Sequence, residues 1–394
     1  MNIGGPAIQA VSLCDHFSND MYRSLLVCGE VDVHEGDMVY LAKEKGVDPF
    51  VVHELGREIS FFDDVTSLSK LRKIIKTFKP DIIHTHTAKA GTLGRLAGIS
   101  VNATNHRGRR IKFVHTFHGH VFHSYFSPRK TRIFINIERF LSKFTDRIIV
   151  ISKQQEQDIC QRYRIAGEEK VRIIPLGLDL AKFMDAEKLR RSSRKKYRLP
   201  PSGDTCLVGI IGRLANVKNH RMFLRTIKSL KDAGREGRFK FLIVGDGELK
   251  ENLMKEASDL AVADSVRFAG WEKSMPEVYS ALDIVALTSL NEGTPVSLIE
   301  AMASKKPVVS TDVGGVRDLI GSIDREHREG YKLAENGVLV PADNHRTLAD
   351  ALIFLSQHPE ISSRMAERAR RFVSQRYSLG RLVEDLDSLY REMT

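Results

Sequence analysis

The chain has 394 residues, 42% of them hydrophobic and 28% charged, which fits two ordinary soluble domains and argues against wholesale disorder. Cys14, Cys28, Cys160 and Cys206 are far apart and form no CxxC pair, which excludes a disulfide framework and a zinc knuckle and points to a reducing compartment. No apolar run approaches the ~18–20 residues of a membrane span, and the chain does not open on a basic-then-apolar leader, so the expected location is cytoplasmic. The formal net charge of +11 is unevenly spread: residues 1–69 hold 4 Lys/Arg against 12 Asp/Glu, whereas residues 70–147 hold 17 against 3. That second stretch is a cationic segment suited to phosphorylated lipid, an anionic membrane leaflet or nucleic acid, or simply a solvated basic face.

In chain order, MNIGGPAIQAV is a glycine turn leading into a helix. A doubly wound domain normally places its first strand ahead of such a turn, and none is read here. Short β-branched runs follow, each with a helical pattern after it: SLLVCG (24–29), PFVV (49–52), DIIHTH (81–86), KFVHTFHG (112–119), RIIVIS (147–152) and VRIIPLG (171–177). Between two of these lies HVFHSYFSPRK (120–130), where Phe122, Tyr125 and Phe126 stand beside Arg129 and Lys130. The helix over 128–144 carries Ile133, Phe134, Ile137, Phe140, Leu141 and Phe144 as one apolar face, read as domain core or as a membrane-surface helix. The polar, strand-free stretch 180–205 marks a domain seam.

Beyond the seam come CLVGIIGR (206–213), FKFLIVGDG (239–247), VRFAG (266–270), DIVALTS (283–289), PVVST (307–311) and GVLVPAD (337–343). Twelve such strands with helices between them predict two doubly wound α/β domains with parallel sheets covered on both faces. At the end, Leu379, Leu382, Leu386 and Leu389 recur at helical spacing and predict an amphipathic helix.

Two segments of the second half carry chemistry. In GIIGRLANVKNH (209–220) a buried strand ends at Gly212, with Arg213 and Lys218 just after it. Side chains at a strand's carboxyl end point into the crevice where α/β proteins bind ligands, and an Arg fork and a Lys charge both suit phosphate. In TSLNEGTPVSLIEAMASKKPVVSTDVGG (288–315), Glu292 lies in a loop, Gly293 and Thr294 allow close backbone approach, and Pro295 suits a helix start whose free N–H groups face an anion. Glu300, eight residues on, sits among small and apolar helical neighbours and is suited to hold a vicinal diol such as a ribose.

Together with GGPA (4–7), DIIHTHTAKAGTLGRLAG (81–98), VHTFHGH (114–120), IIPLGLD (173–179) and VGDGE (244–248), these segments resemble the GT-B glycosyltransferases, specifically the retaining family 4 of glycosyl group 1 enzymes. The resemblance spans nearly the whole chain. It implies two Rossmann-like domains facing a central cleft: an acceptor-side domain over 1–180, a nucleotide-sugar domain over 181–375 and a C-terminal helix, 376–394, returning to the first domain.

The resemblance also implies roles. Arg213 and Lys218 would grip the donor diphosphate. Glu292 would hydrogen-bond the transferred sugar, lined by Gly293, Thr294, Pro295 and Val296. Glu300 would bind the ribose, and His118 would reach the sugar near its reacting carbon. Gly4, Gly5 and Gly212 would let backbone approach the phosphate, while Val244–Gly247, with Gly245 and Gly247, and Phe268–Trp271 would border the base. No metal or other cofactor is expected. His84, His86, His115, His118, His120 and His123 are numerous, but no Asp, Glu or Cys accompanies them at ligand spacing.

The expected acceptor is a lipid-linked saccharide of surface polysaccharide or lipopolysaccharide assembly at the inner membrane face. Lys89, Phe122, Tyr125, Arg129 and Lys130 are the candidate acceptor or membrane contacts. A sugar-nucleotide epimerase of the same architecture and a non-catalytic partner subunit are the alternative readings.

Overall fold

The computed structural model describes residues 5–30, 39–56, 60–104, 108–118, 128–197 and 205–394, the side chains of Pro128, Lys130 and Glu236 excepted. Gly4, His120, Phe122, His123, Tyr125 and Phe126 lie outside the described residues. Two compact units result: residues 1–178 with 379–394, and residues 179–378.

The first unit begins with α1 (Gly5–His16), β1 (Val27–Gly29), α2 (Val39–Glu44) and β2 (Phe50–Val52). It continues with α3 (Phe61–Phe78), β3 (Ile82–His86), α4 (Ala88–Thr104) and β4 (Lys112–Phe117). It closes with α5 (Pro128–Ser142), β5 (Arg147–Val150), α6 (Lys153–Gln157) and β6 (Val171–Ile173). β1 pairs with β2, and β3, β4, β5 and β6 pair in that order, all in parallel. β4 is buried along nearly its whole length, as expected for an apolar strand covered on both faces. Arg95 on α4 is fully buried; its Nη2 donates to both Glu138 carboxylate oxygens on α5 at 2.7 and 2.8 Å, and its Nε donates to Gly91 O at 2.9 Å. The pair satisfies two buried charges and joins α4 to the inner side of α5.

The second unit opens with α7 (Ala181–Met184) and α8 (Arg190–Lys196), so the basic stretch read as a seam is largely helical. Arg190 and Arg194 both engage Asp283, and Asp283 Oδ2 accepts from Leu207 N at 2.7 Å. Next come β7 (Cys206–Ile211), α9 (His220–Asp232), β8 (Phe239–Val244), α10 (Lys250–Asp259), β9 (Val266–Gly270) and α11 (Met275–Ala281). β10 (Ile284–Leu287), α12 (Val296–Ala303), β11 (Val308–Thr311) and α13 (Val316–Ile320) follow. The rest is β12 (Ile323–Glu326), β13 (Lys332–Ala334), β14 (Val338–Val340), α14 (His345–Gln357) and α15 (Pro359–Arg376). The sheet order is β12-β13-β14-β11-β10-β7-β8-β9, parallel except at the β12–β13 and β13–β14 pairs.

That antiparallel extension departs from the sequence reading. Ile-Asp-Arg-Glu of β12 is exposed at every residue and has no β-branched run, so nothing in its pattern marks it as a strand. Its charges suit a sheet edge, where they discourage pairing with another chain.

The chain then returns to the first unit as α16 (Leu379–Met393), and Leu379 N donates to Leu178 O at 2.9 Å. All four periodic leucines are buried, in a cluster with Leu13 and Phe17 of the α1 region, Val114 and Ile149 of the sheet, and Ile174. Leu386→Ala is therefore expected to destabilise the protein by about 2–5 kcal/mol, measured by urea unfolding. A loss below about 1 kcal/mol would show that α16 adds little to the first unit.

Candidate functional site

The loops at the carboxyl ends of β7, β8, β9 and β10 are tied together by backbone hydrogen bonds. Gly212 N donates to Val244 O at 3.0 Å, Leu214 N to Asp246 O at 2.9 Å, Gly245 N to Gly270 O at 2.8 Å and Leu290 N to Val217 O at 2.8 Å. Two close approaches require glycine. Gly245 has φ +133°, and a Cβ there would lie 2.1 Å from Gly212 O; a Cβ on Gly314, at φ +50°, would lie 2.0 Å from Glu292 O. The VGDG and VGG turns thus pack directly on the loops that carry Arg213 and Glu292.

Within this rim Lys218 and Glu292 meet. Lys218 Nζ lies 2.5 Å from Glu292 Oε1, and Ser289 Oγ donates to the same oxygen at 2.6 Å. The Lys218 stem lies over Gly212, where a Cβ would stand 3.7 Å from Lys218 Cδ and Cε. Arg213 is exposed on the same loop, and its guanidinium holds no hydrogen bond among the described residues. α12 starts at Val296 behind Pro295, its N-cap. Its first N–H groups have no helical acceptor ahead of them, and beside them Thr294 Oγ1 is buried without a partner among the described residues. A buried hydroxyl left unpaired is costly unless a ligand or water takes it. The assembly joins a cation, a carboxylate, an orphan hydroxyl and a helix N-terminus, which suits a phosphorylated sugar.

Glu300 stands one turn further along α12. Its Oε2 is 3.0 Å from the Tyr279 hydroxyl, which also lies 3.0 Å from Ser297 O. Tyr279 is fully buried on α11, with Phe183 packed edge-on against its ring. Burial pushes the Glu300 carboxyl up to about 7, opposed by the Tyr279 hydrogen bond and the Lys182 charge. Neither Tyr279 nor Lys182 was singled out from the sequence; no spacing rule links α11 to α12. His220, also unassigned, opens α9 just after Asn219, whose side chain accepts from Met222 N. It is 1% exposed with both ring nitrogens unpartnered among the described residues, and burial, with Lys218 nearby, holds its pKa down near 4. Trp271, just after β9, is 46% exposed, an aromatic face open to solvent.

The other predicted residues lie in the first unit. Gly5 opens α1. His118 follows β4, and its Nε2 is 2.8 Å from His86 Nδ1, so one neutral ring donates to the other. The His84 ring lies 4.4 Å from that of His86, and His84 itself bonds Tyr390 Oη at 2.6 Å and Thr116 Oγ1 at 2.7 Å. Burial lowers all three pKa values, that of His86 to about 4. His115 instead bonds Thr85 Oγ1 at 2.8 Å. Among the described residues no group of three or more His, Cys, Asp or Glu is placed to hold a metal ion. Lys89 pairs with Asp64 at 2.7 Å, and Arg129 is exposed on α5.

Both units are α/β with parallel pairing, and the second gathers Lys218, Glu292 and the buried Thr294 hydroxyl at its strand ends. Residues 3–182 match the model for Glycosyltransferase Family 4, and residues 205–358 match that for Glycosyl transferases group 1. The chain belongs to the family 4, group 1 glycosyltransferases of GT-B fold, and it is an enzyme of that class. It is 27% identical over 390 residues to the UDP-Gal:alpha-D-GlcNAc-diphosphoundecaprenol alpha-1,3-galactosyltransferase of Escherichia coli, covering 98% of this chain and 94% of the relative. It is 24% identical over 389 residues to the putative glycosyltransferase EpsD of Bacillus subtilis, covering 94% and 97%. Among solved structures, Anabaena HepE in complex with UDP superposes with a TM-score of 0.75 at 20% identity, covering 99% of this chain and 96% of HepE.

The Glu300 carboxyl gives a stability test. Its folded pKa of about 7 lies above its ordinary 4.5, so its contribution is fully present below about 4.5 and lost as pH rises through 7. Glutamine cannot ionise. Glu300→Gln should therefore gain stability over the native chain as pH rises across that window, by about 3 kcal/mol, and level off above it. Urea curves that keep a constant separation at all pH values would show that the carboxyl is not held neutral.

Proposed function

We propose that this enzyme transfers a sugar from a nucleoside-diphosphate donor, with retention of anomeric configuration and without a metal, to a lipid-linked saccharide. The acceptor would serve surface polysaccharide or lipopolysaccharide assembly at the cytoplasmic face of the membrane. The observation that carries the reading is the Lys218–Glu292 pair beside the Thr294 hydroxyl, which is buried at the start of α12 without a partner among the described residues. The donor and acceptor named for the E. coli relative, UDP-galactose and a GlcNAc-diphosphoundecaprenol, support both halves of it.

In this reaction the bond between the anomeric carbon and the β-phosphate oxygen breaks. The acceptor oxygen attacks from the same face, and its proton passes to the departing phosphate, so no protein base is required. The protein's task is to carry the charge that grows on the phosphate. Lys218 and the exposed Arg213 supply cations, and the α12 N-terminus supplies oriented N–H groups. Glu292 holds Lys218 in place beforehand and accepts hydrogen bonds from the sugar hydroxyls once the donor is bound. Ionised Glu300 offers both oxygens to the ribose diol as acceptors, whereas protonation turns one of them into a donor, so donor affinity should weaken as pH falls below about 7.

Lys218→Ala should lower turnover by roughly two to three orders of magnitude, the scale of one lost charge-stabilising group. The assay is transfer of labelled galactose from UDP-galactose to a synthetic GlcNAc-diphosphate lipid, with the anomer read by NMR. Native-like turnover in that variant would remove Lys218 from the mechanism. Epimerised nucleotide sugar with no transferred product would overturn the transferase reading for this acceptor.

A further inference from the structure

Successive side chains of a strand leave it on opposite faces, and this sorts the histidines of β3 and β4. The register sets His84 beside Val114 and His86 beside Thr116, so these even-numbered residues share one face, and His118, two residues past Thr116, continues it. Thr85 and His115 leave on the other face and bond each other at 2.8 Å. His115 is 1% exposed, with the Phe117 ring edge-on against it, and Gly91 leaves the space its ring occupies. It is a core histidine whose polar need is met inside the fold. His118 differs: it stands just past the carboxyl end of β4, where α/β proteins bind ligands, and keeps part of its surface open.

The even face is built inward to outward. His84 is fixed through both nitrogens, with Tyr390 Oη 2.6 Å from Nδ1 and Thr116 Oγ1 2.7 Å from Nε2. The His86 ring lies on that of His84, centroids 4.4 Å apart and tilted by 31°, and its Nδ1 reaches His118 Nε2 at 2.8 Å. Thr87, next in the chain, has φ +64°, a strained left-handed conformation for a β-branched residue, and its carbonyl accepts from Gly91 N at 3.1 Å. The chain thus turns from β3 into α4 directly beyond His86. Burial lowers the pKa of His86 and of His118, and neither is held by a carboxylate, so the contact joins two neutral rings. A neutral imidazole carries one proton. If His118 Nε2 accepts from His86, His118 Nδ1 is a donor; if it donates, Nδ1 is an acceptor.

We infer that His86 is the positioning residue of His118: through Nδ1 it holds one orientation and one tautomer of that ring, so that His118 Nδ1 meets the substrate in a fixed protonation state. His84, itself held by Thr116 and Tyr390, backs His86. The inference deepens the proposed sugar transfer and rests on it for its purpose, while the ring contact is tested without turnover.

Three substitutions separate positioning from packing. His86→Asn leaves an amide atom near the place of Nδ1 but fills the space least. His86→Gln fills more and carries its amide beyond that place, and His86→Leu fills it without a polar atom. Two-bond proton–nitrogen NMR on the full chain with labelled histidine reads the tautomer, the His118 signal being the one lost in His118→Ala. A single neutral tautomer is expected in the native chain and in His86→Asn, and a mixture in the Gln and Leu variants. In the transferase assay, Gln and Leu should lower kcat about a hundredfold, the scale of a misplaced group, with the KM for UDP-galactose little changed, and Asn should recover most of the loss. Adding His86→Leu to His118→Ala should cost nothing further, since His86 acts only through His118. Melting curves report folding, and the Gln variant carries the test if the Leu variant does not fold. Mixed tautomers in the native chain overturn the inference. So do a native kcat in both the Leu and Gln variants, a kcat lowest in Asn, which follows packing instead, or fully additive losses in the double variant. A native chain that transfers no sugar would sink the proposed reaction, and the NMR result would still decide whether His86 holds His118.

Discussion

A site proposed to receive a diphosphate must hold cations in place before the negative charge arrives, and in the second unit Glu292 holds Lys218. Its Oε1 takes both the Lys218 ammonium and the Ser289 hydroxyl, so the lysine is fixed in direction without being left alone in a partly buried setting. Arg213 stays exposed, where water solvates its charge. The geometry rests on backbone rather than on side-chain packing. Glycines at 245 and 314 let neighbouring turns touch the carbonyls of Gly212 and Glu292, distances no other residue type allows. The polar groups therefore sit on a rim stapled strand to strand, which is what precise charge placement demands.

The first unit handles polarity differently. Four histidines near the ends of β3 and β4 are kept neutral by burial and find partners in Thr116, Tyr390, Thr85 and one another. The His86–His118 contact couples the tautomers of the two rings, and the nitrogen of His118 that carries the proton decides what the ring offers to anything beyond it. Because His84 is bonded to Tyr390, the last helix of the chain is part of this arrangement, and α16 contributes polar order as well as buried leucines.

How far this could be read from the sequence depends on where the information resides. Strands such as CLVGII and FKFLIV are legible because a fully covered parallel strand must be apolar along its length. The Lys218 and Glu292 segments stand out because their residue types suit phosphate at a strand end, and the structure brings the two side chains together. The β12–β13 hairpin is not legible, since an exposed edge strand places no demand on hydrophobicity. Tyr279 is not, since its meeting with Glu300 depends on how α11 packs beside α12. His220 is missed for a related reason: nothing in NVKNH says that a histidine after a capping asparagine turns inward.

Helix α5 shows the limit most directly. Its apolar residues form one stripe, and the periodicity alone cannot say that the stripe is covered at Leu141 and open at Ile133 and Phe140. The decisive fact is a polar one. Glu138 is drawn inward by the buried Arg95, and that pair fixes the rotation of the helix about its own axis. Turning Ile133 and Phe140 inward would carry Glu138 away from Arg95 and leave that guanidinium buried without its partner, a cost of about 3–5 kcal/mol. A buried ion pair on one side thus keeps an apolar row in solvent on the other.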